Sequence, residues 1–381
     1  MISEDLLPIL PALDLSTKYR LAVAEIKEEY TSEAQSLPWI IGFSGGKDST
    51  LMAHMVFEAI LDLPKSERRR EIIVLSNDTL VESPVLMHHL KLSLEKIREG
   101  AESLGLPVKT VITTPPVEQT FWVNLIGRGY PSPNKQFRWC TDRMKIQPMS
   151  AYVLSEVSKS GEVILLLGVR SSESVTRAQT IAKHTVEGEK YHRHTELNGC
   201  WVYRPILNFT TDEVWQVLLQ RQAPWGGSHR DLITVYRNAN AGECPLVLDH
   251  SQAPSCGTGS ARFGCWTCTV VTKDRSMEGL IDAGSENLEP LLDFRDWLVS
   301  IRNHRDYRET ERRNGTPGAG PFSIEARKRI MERLLRTQEE VGFSLISDQE
   351  VELIKKIWES DTLMQADRFV ERYYQQLSES N

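Results

Sequence analysis

The sequence predicts an α/β fold in which helices cover both faces of a parallel sheet. Four short apolar segments of the buried-strand type lie in the first half of the chain, at residues 39–43, 72–75, 108–112 and 163–168. Between them, apolar residues recur at helical spacing, first in the stretch that follows the loop ending at residue 49. Strands that alternate with helices of this length are typical of a parallel sheet with a helix layer on each side.

The rest of the chain adds helices and one irregular region. An amphipathic segment at residues 17–33 predicts an opening helix, and Thr210 with Glu213 has the spacing of a capping box at a helix start. From residue 223 to about residue 260 the composition shifts to Pro, Gly, Asn, Ser and Cys, which predicts a long irregular segment. Three helices are predicted near the end of the chain, at residues 288–302, 323–341 and 348–378. The predicted boundaries separate four regions, at residues 1–35, 36–222, 223–286 and 287–381.

Composition narrows the class of protein. The 381 residues carry 45 Lys and Arg against 52 Asp and Glu, which gives a net charge of −7. This balance argues against a protein that coats nucleic acid by bulk positive charge, although it permits a local basic groove. No apolar run approaches the ~18 residues of a transmembrane helix, and the first segment lacks a secretory signal pattern. We therefore expect a soluble, cytoplasmic protein with no membrane association.

A glycine-rich loop joins the first predicted strand to the first long helix. Its sequence at residues 44–49 is Ser-Gly-Gly-Lys-Asp-Ser. Glycines let the backbone approach an anion, and the following helix provides N–H groups and the positive end of a dipole. The loop is not a Walker A motif, because Asp48 follows Lys47 and Ile41 stands where that motif needs glycine. The carboxylate indicates a metal-bridged phosphate, whereas the alternative is a plain strand-to-helix turn.

This hexapeptide resembles the PP-loop of the ATP pyrophosphatases, a family that splits ATP between its α and β phosphates. Further segments resemble the phosphoadenylylsulfate (PAPS) reductase-like branch of that family. Asp78 and Thr79 match its Asp-Thr element after the second strand. Residues 168–174, Gly-Val-Arg-Ser-Ser-Glu-Ser, match a Gly-x-Arg-x-x-Glu-Ser block, and residues 204–215 match the element after it. The resemblance implies the adenine nucleotide alpha hydrolase-like fold, with the PP-loop domain at residues 36–222.

The resemblance also assigns roles to individual residues. Lys47 would neutralise the pyrophosphate charge, while Asp48 and Asp78 would hold Mg²⁺ by electrostatic positioning. The residues predicted to bind ATP are Ser44, Gly45, Gly46, Lys47, Asp48, Ser49 and Gly168. The residues predicted to take part in catalysis are Lys47, Asp48, Asp78, Arg170, Glu173 and Arg177. For Glu173 and Arg177, the alternative is solvated surface charge.

The cysteines form the second signal. Four of the six lie between residues 244 and 268, and a cytosolic chain of this length more often uses such a group for metal binding or chemistry than for disulfides. In a reductase relative, a cysteine in the position of Cys140 ligates a cluster. The predicted ligands of a 4Fe–4S cluster are Cys140, Cys256, Cys265 and Cys268. Zinc, with His250 as a further ligand, and unrelated thiols are the alternatives, and Cys244 is a substitute for Cys256. Cys200 has no partner pattern and is predicted to be structural.

The cysteine-rich stretch resembles a more specific family within this branch. Residues 242–245, 255–257 and 262–271, together with residues 331–335, resemble the DndC-type sulfurtransferases of bacterial DNA phosphorothioation. The related Ssp-system member, which modifies a single strand, is equally compatible. This resemblance implies an ATP-dependent replacement of a non-bridging oxygen of the DNA backbone by sulfur. The implied partners are a cysteine desulfurase that donates sulfur, other phosphorothioation subunits and the DNA substrate.

Other functions stay open at this point. A PAPS or adenylylsulfate reductase has a nucleophilic cysteine near its C-terminus, and residues 269–381 contain none. A tRNA sulfurtransferase has a similar loop, but such enzymes often add an RNA-binding module that we do not find in the sequence. A non-catalytic assembly subunit has no need of the intact loop. The apolar residues of the C-terminal helices predict either packing within the chain or a docking surface for the desulfurase.

Overall fold

The computed structural model describes residues 14–32, 37–173, 190–239 and 264–361. Within this part of the chain, six strands form one sheet in the order β3-β2-β1-β4-β6-β5. The strands are β1 (Trp39–Gly42), β2 (Ile72–Asn77), β3 (Val108–Thr113), β4 (Val163–Leu167), β5 (Tyr191–Arg193) and β6 (Cys200–Tyr203). The helices of the first 239 residues are α1 (Leu15–Thr31), α2 (Lys47–Leu61), α3 (Pro84–Ser103), α4 (Gln147–Ser160), α5 (Thr211–Gln220) and α6 (Arg230–Asn238). The later helices are α7 (Arg275–Asp282), α8 (Glu289–Ile301), α9 (Ile324–Val341) and α10 (348–361).

The predicted parallel α/β fold is confirmed. Strand β1 lies between β2 and β4 and is parallel to both, with Ile41 opposite Val74 on one side and Leu166 on the other. Three of its four residues are fully buried, because helices cover both faces of a central parallel strand. Only the β5–β6 edge pair is antiparallel among the described strand pairs. Together with the helical C-terminal region, this is an α/β architecture built on a mostly parallel sheet.

Capping residues fix several of the helix starts. Asp14 caps α1 by accepting a hydrogen bond from the backbone N–H of Thr17. The predicted capping box at α5 is present, since Thr210 and Glu213 exchange side chain-to-backbone hydrogen bonds in both directions. The turn Trp139–Thr141 is followed by a π-helical segment, Asp142–Ile146, which continues directly into α4.

Three elements differ from the sequence prediction. Strands β5 and β6 were not predicted, because runs of three and four residues are too short to show a period. Helix α6 lies inside the stretch predicted as irregular, where Leu232 and Tyr236 form a short buried face. The remainder of that stretch, residues 240–263, is outside the described residues.

The described residues divide into two compact units. The first unit comprises residues 14–75, 91–111 and 153–232, and the second comprises residues 76–90, 112–152 and 233–361, with the gaps given above. The core of the second unit is rich in aromatic residues, and the indole Nε1–H of Trp122 donates to the carbonyl of Leu345 at 2.6 Å. The C-terminal helices bury Ile330, Leu334 and Ile354 in this core, and the connection between α9 and α10 adds Ile346. Packing within the unit therefore accounts for these side chains, and docking of a desulfurase stays a prediction.

In the part of the chain described here, no helix combines the length and the apolarity needed to span a bilayer.

Candidate functional site

The glycine-rich loop connects β1 to α2 in the first unit. Gly45 has a φ of +71°, a conformation in which glycine avoids the steric penalty of a side chain. Two serines close the loop. The Ser49 hydroxyl donates to the carbonyl of Gly46 at 3.0 Å and accepts from the backbone N–H of Ser44 at 3.2 Å. The loop is therefore a defined backbone turn that ends at an α-helix.

The N-terminus of α2 has the features of an anion-binding helix end. Its N-cap residue, Gly46, makes no side-chain capping hydrogen bond. Lys47 is only 5% exposed, and its Nζ lies 3.3 Å from Oδ2 of Asp48. Because the helix dipole and the ammonium group both favour negative charge, this end of α2 suits a phosphate group.

Asp48 is held by an arginine that follows β4. The Nε–H of Arg170 donates to Oδ1 of Asp48 at 2.7 Å, although the two residues are 122 positions apart. Arg170 is fully buried, and its Nη1 donates to the hydroxyl of Ser172 at 3.1 Å. This pairing with Asp48 offsets part of the cost of burying the guanidinium charge.

Three buried guanidinium nitrogens among the described residues of the first unit have no hydrogen-bond partner. One is Nη1 of Arg70, and the other two, Nη2 of Arg170 and Nη1 of Arg204, belong to segments that the sequence predicts to be part of the site. Burial also lowers the pKa of Arg204. An unsatisfied buried donor costs about 1–3 kcal/mol, so an anionic ligand at either nitrogen would recover this free energy.

Gly168 marks a close approach between the end of β4 and the start of α2. A Cβ atom at this position would lie 3.0 Å from the carbonyl carbon and oxygen of Asp48 and 3.0 Å from the backbone nitrogen of Ser49. Backbone atoms cannot yield as a flexible side chain does. The structure therefore gives a steric reason for the glycine that the sequence predicts to be part of the nucleotide site.

The Asp-Thr element after β2 belongs to the second unit. Asp78 accepts a hydrogen bond from the backbone N–H of Leu80 at 2.8 Å and donates its own backbone N–H to the carbonyl of Thr113. Leu80 has a φ of +65°, which is unusual for a residue with a side chain. The Thr79 hydroxyl donates to Glu82 at 3.0 Å. Asp78 thus lies in a tight turn, and joint Mg²⁺ binding by Asp48 and Asp78 stays a prediction.

Cys265 and Cys268 lie in a turn of the second unit. The backbone N–H of Cys268 donates to the carbonyl of Cys265 at 3.0 Å. The Cys265 thiol donates to Oε1 of Glu82 at 3.5 Å, and its sulfur lies 3.4 Å from the hydroxyl of Thr79. Glu82 also pairs through its backbone with Cys265 in an isolated bridge. The cysteine turn and the Asp-Thr element are therefore neighbours.

The structure brings Cys140 into the electrostatic range of both cysteines. Burial raises the pKa of the Cys140 thiol, and the charge of Cys268 raises it further. For Cys265, burial is again the main cause of a raised pKa, with Glu82 and Cys140 adding to it. Burial lowers the pKa of Lys145, but Cys265 and Glu82 outweigh this effect and raise it. The Nζ of Lys145 lies 3.0 Å from Oε1 of Glu82.

The donor chemistry at this position fits a thiolate-bound metal centre, but only three of the four predicted ligands are described. Cys256 and its substitute Cys244 lie outside the described residues. Within those residues, no group of three or more His, Cys, Asp or Glu side chains is arranged to hold a metal ion. The hydroxyl of Thr267, between the two cysteines of the turn, is buried and has no partner. The 4Fe–4S cluster and its alternative, zinc, stay predictions.

Two arginines, one buried and one half-buried, hold the chain that follows Cys268, and sequence reasoning missed both. Arg295, on α8, is fully buried and donates to the carbonyls of Cys268 at 2.8 Å and Thr272 at 2.9 Å. Arg302 donates to the carbonyl of Thr269 at 2.8 Å. The only available signal was the position of Arg295 within an apolar helix, which gives no indication of its partner.

Of the two remaining predicted site residues, the structure describes one. Glu173 ends the 3₁₀ turn Ser171–Glu173, next to Arg170 and Ser172. Arg177 lies outside the described residues. The structure thus brings together the loop residues, Gly168 and Arg170 in the first unit. In the second unit it places Thr79, Glu82 and Cys265 in contact.

The phosphoadenosine phosphosulfate reductase domain model matches residues 38–271, which is more than half of the chain. The chain belongs to this family. The match begins at β1, includes the glycine-rich loop and ends after the Cys265–Cys268 turn. Comparison with curated protein sequences gives no match.

Several solved structures resemble parts of the chain weakly. PAPS reductase from Candida auris in a phosphate complex is 12% identical, with 55% of this chain and 80% of that chain covered and a TM-score of 0.30. The U34-tRNA thiolase NcsA from Methanococcus maripaludis with its [4Fe-4S] cluster is 13% identical, with 74% and 78% covered and a TM-score of 0.33. Candida glabrata FMN adenylyltransferase in complex with FMN and an ATP analogue is 10% identical, with 53% and 55% covered and a TM-score of 0.32. The chain spans only about half the length of that adenylyltransferase chain.

Proposed function

We propose that this chain is an ATP-dependent sulfurtransferase of DNA phosphorothioate modification, of the DndC type. In this proposal it cleaves ATP to AMP and pyrophosphate and so activates a backbone phosphate of DNA. A sulfur atom then replaces a non-bridging oxygen of that phosphate. The observation that carries the proposal is the ion pair between Asp48 of the glycine-rich loop and the fully buried Arg170, in a chain of the PAPS reductase domain family.

The loop residues support binding of the β and γ phosphates of ATP, which leave as pyrophosphate. Lys47 and the N-terminus of α2 supply positive charge where negative charge develops on the leaving group. The unpartnered Nη2 of Arg170 supplies a further donor. Asp48 fixes Arg170 through the 2.7 Å hydrogen bond and contributes a carboxylate for Mg²⁺.

The activation step forms one bond and breaks one bond. A non-bridging oxygen of the DNA phosphate attacks the α phosphorus of ATP, and pyrophosphate leaves with the electron pair of the α–β bond. Hydrosulfide next attacks the phosphorus of the DNA, AMP leaves and one proton is released. Neither step changes an oxidation state. A persulfide donor would require two further electrons to release its thiolate.

We further propose that Cys140, Cys256, Cys265 and Cys268 hold a 4Fe–4S cluster. A cluster at this position would supply electron transfer or an iron that binds sulfur. Cys265 and Cys268 support the proposal because one turn supplies both thiols, with the backbone N–H of Cys268 donating to the carbonyl of Cys265 at 3.0 Å. Lys145 beside Glu82 supplies a positive charge that favours thiolates.

The reaction products of ATP test the proposed function. We expect the wild-type protein to release pyrophosphate in the presence of Mg²⁺ and DNA, and to release AMP as well once hydrosulfide is added. Asp48→Asn keeps an oxygen for the hydrogen bond from Arg170 but removes the charge, so we expect a loss of about 10²–10³-fold in pyrophosphate release. Asp62→Asn, at the exposed C-terminal end of the same helix, is the matched control and should retain the wild-type rate. Release of ADP and inorganic phosphate by the wild type would contradict the proposal.

A further inference from the structure

Two arginines of the second unit pack against one tyrosine ring, and a third lies beside them. The guanidinium carbons of Arg143 and Arg313 each lie 5.1 Å from the centroid of Tyr130. Arg143 also donates to the Tyr130 hydroxyl at 3.2 Å. Arg128 lies beside them, because its backbone carbonyl accepts a hydrogen bond from Arg313. We call Arg128, Arg143, Arg313 and Tyr130 the arginine cluster.

Neutral groups, and not carboxylates, hold these arginines in place. The side-chain oxygen of Asn124 accepts from Nη1 of Arg128 at 3.1 Å and from Nη1 of Arg143 at 3.2 Å. Arg143 also donates to the amide oxygen of Gln119 at 2.6 Å. Among the described residues, none of the three guanidinium groups forms an ion pair with a carboxylate. The cluster therefore keeps its positive charge while the geometry of its donors is fixed.

Like charges at this spacing repel one another. Burial lowers the pKa of Arg128, and the nearby charges of Arg143 and Arg313 lower it further. A protein gains nothing in stability from three arginines that repel each other, whereas an anion between them would relieve the repulsion. The local sequence agrees with this role, because residues 119–141 contain Arg128, Lys135 and Arg138 but no Asp or Glu.

An exposed aromatic ring lies next to the cluster. The side chain of Phe137 is 44% exposed, and its ring centroid is 6.3 Å from that of Tyr130. Asn134 fixes the turn that presents Phe137, since its side-chain oxygen accepts from the backbone N–H groups of Gln136 and Phe137 at 2.8 Å. An exposed ring in a defined turn can stack on a base at little cost in conformational entropy.

We infer that the arginine cluster and Phe137 form a binding surface for single-stranded DNA, in which the arginines contact phosphates and Phe137 stacks on a base. Cationic groups beside an exposed aromatic ring are the combination by which proteins bind unpaired strands. A duplex keeps its bases stacked on each other, so an exposed ring gains little from it. The inference rests on the proposed function only for the choice of DNA over RNA.

Fluorescence anisotropy of a labelled oligothymidylate of about 12 nucleotides tests the surface, because single-strand sites span about 4–16 nucleotides. Binding is measured over a range of salt concentrations. Arg313→Gln should lower the slope of log affinity against log salt by about 0.7, the contribution of one phosphate contact on a single strand. Phe137→Ala should weaken binding about tenfold and leave the slope unchanged, because stacking releases no counterions.

Arg336→Gln is the matched control, since Arg336 is an exposed arginine in the C-terminal part of α9 in the same unit. It should bind the oligonucleotide with the wild-type slope. The inference is overturned if the wild type does not bind, if Arg313→Gln keeps the wild-type slope, or if Arg336→Gln lowers it equally. Equal binding of a duplex together with no effect of Phe137→Ala would also overturn it, as would a tenfold preference for the same sequence in RNA.

Pyrophosphate release with Mg²⁺ and excess DNA, measured on the same wild-type protein, separates this inference from the proposed function. Pyrophosphate release without oligonucleotide binding would refute the surface and leave ATP cleavage intact. Binding that depends on Arg313 and Phe137, in a protein that releases no pyrophosphate, would confirm the surface and refute the proposed function.

Discussion

A buried pair of histidines in the first unit makes the folded protein sensitive to mild acid. Nδ1 of His54 and Nε2 of His229 lie 3.0 Å apart, and the two side chains are only 2% and 5% exposed. Burial lowers the pKa of His54 to about 3, with the charges of His229 and Arg221 adding to the effect. Burial also lowers the pKa of His229 to about 4.

The sign of the pH dependence follows from these values. Between about pH 6.5 and pH 4, the unfolded chain binds protons at both histidines and the folded chain does not, so the free energy of unfolding falls as the pH falls. At pH 5 each histidine lowers the free energy of unfolding by about 2 kcal/mol relative to its value at neutral pH, since one pKa unit corresponds to about 1.4 kcal/mol. The comparison stops at pH 5, because carboxyl groups in general begin to take up protons below that value.

Urea unfolding at pH 7 and pH 5, followed by tryptophan fluorescence, measures this effect, and Trp225, which packs against both rings, contributes to the signal. We expect His229→Gln to reduce the pH-dependent loss of stability by about 2 kcal/mol. His304→Gln, at an exposed histidine, is the control and should retain the full loss. Equal stability of the wild type at the two pH values, or an unchanged loss in His229→Gln, would refute the reasoning.

Three further predictions concern the site and its support. Gly168→Ala should lower pyrophosphate release by about 10–10²-fold, because its Cβ would displace the backbone of the α2 N-terminus; a wild-type rate would contradict this. Cys265→Ser should lose the iron and sulfide found after anaerobic purification, whereas Cys200→Ser, in a buried strand position of the first unit, should retain them; zinc in place of iron would exclude the cluster. Gly100→Ala should reduce the free energy of unfolding by about 2 kcal/mol or more, since its Cβ would lie 2.3 Å from the carbonyl oxygen of Trp225, and unchanged urea unfolding would show that the neighbouring loop can move.

Local sequence patterns predicted the elements that carry the nucleotide site. The loop at residues 44–49 could be placed between a strand and a helix because apolar runs on both sides show clear periods. The pairing of Asp48 with Arg170 could not be derived in this way, because 122 residues separate the partners and only the fold brings them together. Family resemblance supplied the candidate residues, and the structure supplied their contacts.

Other features left no local signal at all. His54 and His229 are 175 positions apart, and nothing in either segment indicates a buried pair. The same is true of Arg313, which reaches Tyr130 from a loop far along the chain. Short elements such as β5 and β6 escaped prediction because their length gives no period, and their pairing depends on neighbouring strands.

Formation of phosphorothioate in DNA tests the central claim most directly. The protein is incubated with ATP, Mg²⁺, cysteine, a cysteine desulfurase and single-stranded DNA, and the digested DNA is analysed by mass spectrometry for phosphorothioate-linked dinucleotides. The account predicts one AMP for each phosphorothioate formed by the wild type and no phosphorothioate with Asp48→Asn. Sulfur transfer to tRNA but not to DNA under these conditions, or phosphorothioate formation by Asp48→Asn at the wild-type level, would contradict it.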